Sequence, residues 1–458
     1  MRKPDIGKLI TSINATQMQG KLHAPRVIPV GYLTEVNTTV LKAYLPWAHL
    51  GELCYIGAQR LLAEVVSLQD GYACLSLFDI AVGLRCGTSV VASGAEYQIA
   101  VGDFLLGKTL DGLGRLPNSS DIPYGVEYRP LESAPPDPME RALIEEILPV
   151  GVRAIDATLT CGRGQRLGIF AAAGGGKSTL LSMLCDGVEA DVIVLALVGE
   201  RGREVREFLE YTLSEHSRSV YIREFLEYTL SDYARSRCVT VVATSERAAL
   251  ERLKASFVAT TIAEYFRDQG KNVVLMIDSL TRYARAAREV GLSSGEPPVA
   301  SGFPPSVFAT LPRLLERAGN GKVGSITAFY TVLVEGDNMN EPIADEVRSI
   351  LDGHIVLSRK LAEANHYPAI DVSASVSRVM RQIVTSEHMR LAGHLRTLIA
   401  LYREIELLVR VGEYREGQDP DADKALRCWP VIQQFLQQAA GNPQSLSETL
   451  ELLKLAVE

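Results

Sequence analysis

The sequence predicts an α/β protein in three parts: a small antiparallel β-barrel, a parallel sheet covered by helices on both faces, and a helical C-terminal domain. Three observations carry this. The runs RLGIF, VIVLALV, VTVVAT, NVVLMID and SITAFYTVLV are apolar on both faces, and each precedes a helical or loop segment, as strands of a buried parallel sheet do. Residues 25–98 break into short β-rich pieces such as RVIPVGYLTEV and GYACLSLF, separated by Gly, Asn and Asp, the spacing of a small barrel. From Glu387 onward Leu391, Leu395, Leu398, Leu401, Ile405 and Leu408 recur along one helical stripe.

A chain of 458 residues exceeds what one core organises, so two or three domains are expected. The barrel is assigned to residues 1–100. VGDFLLGKTLDGLGRLPN and the proline-rich RPLESAPPDP then read as a turn-laden connector. The sheet domain takes residues 101–380 and the helical domain residues 381–458, where Ser445 and Glu448 form a capping-box pattern ahead of LELLKLAV.

The strongest chemistry lies in LGIFAAAGGGKSTLLSML, Leu167 to Leu184. A strand enters a glycine-rich turn that leads through Lys177 and Ser178 into an amphipathic helix, the context of a phosphate-binding loop. Gly174, Gly175 and Gly176 let backbone N–H groups curl around a phosphate, the helix N-terminus adds positive potential, Lys177 supplies a point charge and Ser178 a magnesium ligand. The pattern departs from G-x-x-x-x-G-K-[ST] at its first position, which is Ala171. An alanine is tolerated there if its φ is negative.

Two further strands end in carboxylates. Glu200 follows VIVLALVG and is the candidate to position the attacking water; the plainer expectation is a surface residue paired with Arg201 or Arg203. Asp278 ends NVVLMID, where it could hold hydrated Mg²⁺ or simply cap the next helix.

Between these strands the nine residues REFLEYTLS occur twice, from Arg206 and from Arg223. Two copies without a third do not make a stacking array, and the segment reads as a tandem duplication of 17 residues. Because 17 residues are not a whole number of turns, one apolar stripe cannot serve both copies, so a surface excursion is expected.

Composition excludes several classes. The seven cysteines are scattered without a CxxC pair, which fits reduced thiols in a cytosolic protein, and the seven histidines form no zinc motif. No apolar run has the length of a signal peptide core or a bilayer span, so a soluble protein is expected. A net charge of −8 argues against a broad nucleic-acid surface.

Taken together, GIFAAAGGGKSTLL, LVGERGREVREF, SLTRYARAAREVG, PPSVFATLPRLLERAG, NHYPAID and SVSRVM resemble the export ATPase of type III secretion systems, a family related to the flagellar export ATPase and to rotary ATP synthase subunits. The resemblance runs from about residue 25 to the C-terminus. It implies a RecA-like P-loop core between the barrel and the helical domain, and a homohexamer that hydrolyses ATP with Mg²⁺ at sites between subunits. It also implies stalk, stator and export-gate partners, chaperone–effector complexes as cargo, and a place at the cytoplasmic face of the inner membrane.

Residue by residue, it carries nucleotide binding to Ala173, Gly174, Gly175, Gly176, Lys177, Ser178 and Thr179. Glu200 becomes the water-polarising group, Ser178 and Asp278 the metal holders, and Arg201 and Arg282 the contacts of the γ-phosphate region. Tyr367 would pack on adenine, where core packing is the alternative, and Arg378 would be the arginine finger of a neighbouring subunit. The residues alone do not single out Arg378 from Arg381 or Arg390, and surface ion pairing is the default for any of them. Two other readings stay open: a flagellar export ATPase, and a hexameric RecA-type nucleic-acid translocase.

Overall fold

The computed structural model describes residues 29–37, 39–79, 83–117, 121–172, 174–200, 232–415 and 417–458. The duplicated stretch Arg206 to Ser231 therefore lies outside the described residues, as do Ala173 and Arg201. Among the described residues no helix is long and apolar enough to cross a membrane. They form two compact units, the first within residues 1–76 and 81–95 and the second comprising 77–80 and 96–458.

The first unit is a closed barrel of β1 (Val30–Val36), β2 (Val40–Tyr44), β3 (Glu52–Ile56), β4 (Leu61–Gln69), β5 (Tyr72–Leu77) and β6 (Ser89–Glu96), ordered β1-β2-β5-β4-β3-β6. Closure is antiparallel, with Gly31 opposite Val90, and it leaves no unpaired edge. Successive side chains point to opposite sides of a strand, so Leu33, Leu41, Ala43, Cys54, Ile56, Ala73 and Leu75 fill the interior.

In the second unit β7 (Gln98–Val101) pairs antiparallel with β9 (Glu127–Pro130). The main sheet contains β8 (Thr109–Asp111), β10 (Arg166–Ala171), β11 (Val192–Val198), β12 (Cys238–Ala243), β13 (Asn272–Asp278), β15 (Ser325–Leu333), β16 (Gly353–Leu357) and β17 (Val376–Ser377). Their order is β17-β16-β10-β15-β13-β11-β12-β8, with β14 (Gly319–Asn320) paired to β15. All five apolar runs read from the sequence are strands here. The connector, read as turns, supplies β8, which pairs parallel with β12 through Leu110 and Val241.

The sheet separates two cores. In β11, fully buried along its length, Ile193, Leu195 and Leu197 face one core, and Val192, Val194, Ala196 and Val198 face the other. The first core also takes α1 (Arg153–Thr158), α2 (Lys177–Gly187), α7 (Ser386–Arg410), α8 (Pro420–Leu436) and α9 (Leu446–Val457). The second takes α3 (Ala249–Asp268), α4 (Leu280–Ser293), α5 (Pro305–Leu315) and α6 (Pro342–Ile350). The α7 stripe buries Leu391, Leu395 and Leu398 and runs out to Leu408, which is 41% exposed. The capping box forms, with Ser445 Oγ accepting from the Glu448 N–H and the Glu448 carboxylate from the Ser445 N–H.

Candidate active site

The strand order sets the site. β10, β15, β13 and β11 lie side by side in that order, and their C-terminal tips align, with Ala171 opposite Leu333 and Leu197 opposite Asp278. Ligands of open α/β sheets bind beyond this edge. β10 feeds the glycine loop and α2, β13 ends in Asp278, and Glu200 stands two residues past β11.

Ala171 closes β10 in extended conformation, so the missing first glycine costs nothing. Gly174 and Gly176 both have φ of 80°, a region costly for other residues. Gly176 has a second constraint: a Cβ there would stand 3.0 Å from Cε1 of Tyr367. Tyr367 thus stacks over the entrance to α2, anchored where its carbonyl accepts from the Gln438 N–H at 2.9 Å. Ser178 and Thr179 lie in the first turn of α2, with Ser178 exposed.

Lys177 reaches across the strand tips. Its Nζ lies 3.1 Å from Glu200 Oε1 and 2.5 Å from Asp278 Oδ1. Burial works to lower the ammonium pKa, but the two carboxylates outweigh it and raise the value. Glu200, 7% exposed, also binds Arg282 Nη2 through Oε2 at 3.0 Å, and Arg282 Nη1 donates to the Gly199 carbonyl. Desolvation raises the Glu200 carboxyl above the ordinary value and nearby Asp278 adds to this, while Lys177 and Arg282 oppose it.

Asp278 does not cap the following helix. Ser279 does so, its hydroxyl accepting from the Arg282 N–H at 3.4 Å, which leaves the 4% exposed Asp278 carboxylate to the site. Nor is Glu200 a surface residue. Sequence reasoning missed Thr331, buried in β15, whose hydroxyl donates to Asp278 Oδ1 at 2.7 Å. Its signal was a polar residue inside an otherwise apolar strand tip.

Arg378 is not brought to this cluster. It is exposed and follows β17, which pairs with the start of β16 at Gly353, whereas the glycine loop lies near the end of β16 at Leu357. Among the described residues its side chain donates only a long 3.5 Å bond, to the Arg348 carbonyl.

The chemistry follows from charge. Two carboxylates and two cations converge at a helix N-terminus, with the lysine held by groups a phosphate can replace. Among the described residues no group of three His, Cys, Asp or Glu forms a metal cage. A divalent cation here would depend on phosphate oxygens for much of its shell, as magnesium does. Asp278 Oδ2 has no hydrogen-bond partner among the described residues, and Ser178 is open; both fit that ion.

Residues 151–377 match the ATP synthase alpha/beta family, nucleotide-binding domain, and residues 384–455 match the T3SS EscN ATPase C-terminal domain. The SPI-2 type 3 secretion system ATPase of Salmonella typhimurium is 54% identical over 92% of this chain and 94% of its own length. The assembled ATPase EscN of enteropathogenic E. coli superposes with a TM-score of 0.86 at 54% identity, covering 93% of this chain and all of that one. EscN in complex with its central stalk EscO gives 0.83 at 52% identity, with the same coverage. A P-loop site built on this sheet, with relatives this close across nearly its whole length, places the chain in the type III secretion system ATPase family.

Proposed function

We propose that the chain hydrolyses ATP with Mg²⁺ to energise type III protein secretion, as a ring of six copies at the cytoplasmic face of the inner membrane. The observation that carries the reading is the Lys177–Glu200–Asp278–Arg282 cluster at the mouth of the glycine loop.

The amides of residues 173–179 bind the triphosphate, and Tyr367 packs on the adenine. As the γ-phosphate draws Lys177 away, Glu200 is left to orient and polarise water, with Arg282 and Arg201 beside the developing charge. Ser178 and Asp278 would hold magnesium, which when bound neutralises charge on the phosphate oxygens. Arg378 of one subunit completes the site of its neighbour, so turnover is coupled to packing around the ring.

The three-part division at residues 100 and 380 assigns ring formation to the barrel and cargo handling to the C-terminal helices. Chaperone release and effector unfolding would follow from cycling between interface states. A central stalk, as EscN has in EscO, stator and export-gate proteins are the expected partners, and the −8 charge argues against nucleic acid.

Glu200→Gln tests the chemistry. Its hydrolysis rate should fall about 10²- to 10⁴-fold while nucleotide affinity stays near the parent's. Near-parental turnover in a coupled ATPase assay would remove Glu200 from its role.

A further inference from the structure

Asp278 has two oxygens with unequal neighbours. Oδ1 accepts from Lys177 Nζ at 2.5 Å and from Thr331 Oγ1 at 2.7 Å. Oδ2 has no hydrogen-bond partner among the described residues. Thr331 is fully buried in β15, the strand between the one that feeds the glycine loop and the one that ends in Asp278. In register it lies opposite Ile169 and follows Tyr330, which is opposite Ile277, so its side chain stands on the strand beside Asp278.

The direction of the bond is fixed chemically. An ionised carboxylate only accepts, so the hydroxyl must be the donor. The alternative acceptor, the Ile277 carbonyl, is farther at 3.3 Å, and one proton serves one acceptor well. Lys177, the other partner of Oδ1, is also the phosphate-binding lysine of the loop. Once a triphosphate draws that ammonium away, the Thr331 hydroxyl is the donor still holding Oδ1.

We propose that Thr331 is a positioning residue for the metal–nucleotide complex. It clamps Asp278 through Oδ1 and so keeps Oδ2 aimed at the water shell of magnesium in the states where Lys177 has moved to phosphate. The inference rests on the reading of Asp278 as the holder of hydrated magnesium. Partners of this kind tune affinity for a metal they do not touch, by about 10- to 100-fold.

The test uses the full chain and equilibrium binding of a fluorescent ADP analogue, with excess Mg²⁺ and again with EDTA. The readout is the dissociation constant in EDTA divided by that in Mg²⁺. Thr331→Val keeps the shape and removes the donor, and should lower that ratio about tenfold while leaving the constant in EDTA unchanged. Thr331→Ser keeps the donor and should retain the parental ratio.

A Thr331→Val ratio within about twofold of the parent's, against the tenfold expected, would overturn the proposal. So would a Ser variant that loses as much as Val, since the methyl group and not the hydroxyl would then matter. Asp278→Asn separates the two levels: if it too keeps the parental ratio, the metal role of Asp278 fails along with the clamp. If Asp278→Asn loses the ratio and Thr331→Val does not, the clamp alone fails. Should Thr331→Val not fold, the contrast between Thr331→Ala and Thr331→Ser decides the same question.

Discussion

Glu200 is held between opposing demands. Burial favours its neutral form, yet polarising water requires the carboxylate, and Lys177 at 3.1 Å and Arg282 at 3.0 Å supply the compensating charge. Its pKa stays above the ordinary carboxylate value, so activity should fall on acidification from a higher pH than a free glutamate would give. Arg282→Gln removes one of the cations that lower it, and the acid limb of kcat in single-turnover pH profiles should move further up. A limb that stays in place, or moves down, would show that Arg282 does not tune Glu200. Glu200 and Asp278 were legible as candidates because both follow apolar strands, and strand tips converge in this fold. Their partners were harder to read. Thr331 lies 53 residues from Asp278, and only its place at the apolar strand tip sets its hydroxyl apart from that of Thr327 on the same strand.

At the scale of elements, the long strands and the α7 stripe were legible because burial on two faces or one imposes a period on the sequence. The three-residue β8 was not, since too few positions carry a pattern and its pairing with β12 is decided by tertiary contact. The same holds for Asp156 on the short helix α1. This fully buried carboxylate accepts from the N–H groups of Val150 and Gly151, each at 2.9 Å, one on each oxygen. Burial raises it to about 7 from an ordinary 3.8, against the pull of those backbone donors. Asp156→Asn would point an amide at an N–H group and leave one donor unsatisfied, destabilising the second unit by about 1–3 kcal/mol. A carboxyl raised in the folded state contributes stability that is complete below its unfolded value and is lost as pH rises through the folded one. The gap between parent and variant in urea unfolding should therefore narrow by about 2–3 kcal/mol between pH 5 and pH 8. A gap that widens with pH would mean that the carboxylate is ionised in the folded chain.

At the scale of the whole molecule, the placement of Arg378 separates a shared site from a self-contained one. Along β16 it stands at the level of Asp352, whose carbonyl accepts from its N–H, about 16 Å below the level at which Leu357 meets Ala171, at the opposite end of the sheet from the Lys177 of its own chain. An exposed guanidinium there cannot reach its own phosphate loop without unpicking β17, and on the proposed shared site it would act in that of another copy. That geometry makes a prediction that no single-chain mechanism shares. Lys177→Ala and Arg378→Ala should each nearly abolish hydrolysis, because one cannot grip the phosphates and the other cannot complete its neighbour's site. Mixed in equal amounts and allowed to reassemble, they should recover activity. An Arg378→Ala subunit keeps its lysine and receives an arginine wherever a Lys177→Ala subunit lies on the correct side. Random assortment in a cyclic assembly makes roughly a quarter of the interfaces productive. The recovered rate should rise with total protein concentration as rings form. A mixture no more active than the two variants assayed apart, under conditions where the parent assembles, would place the arginine outside the catalytic site and confine the chemistry to one protomer.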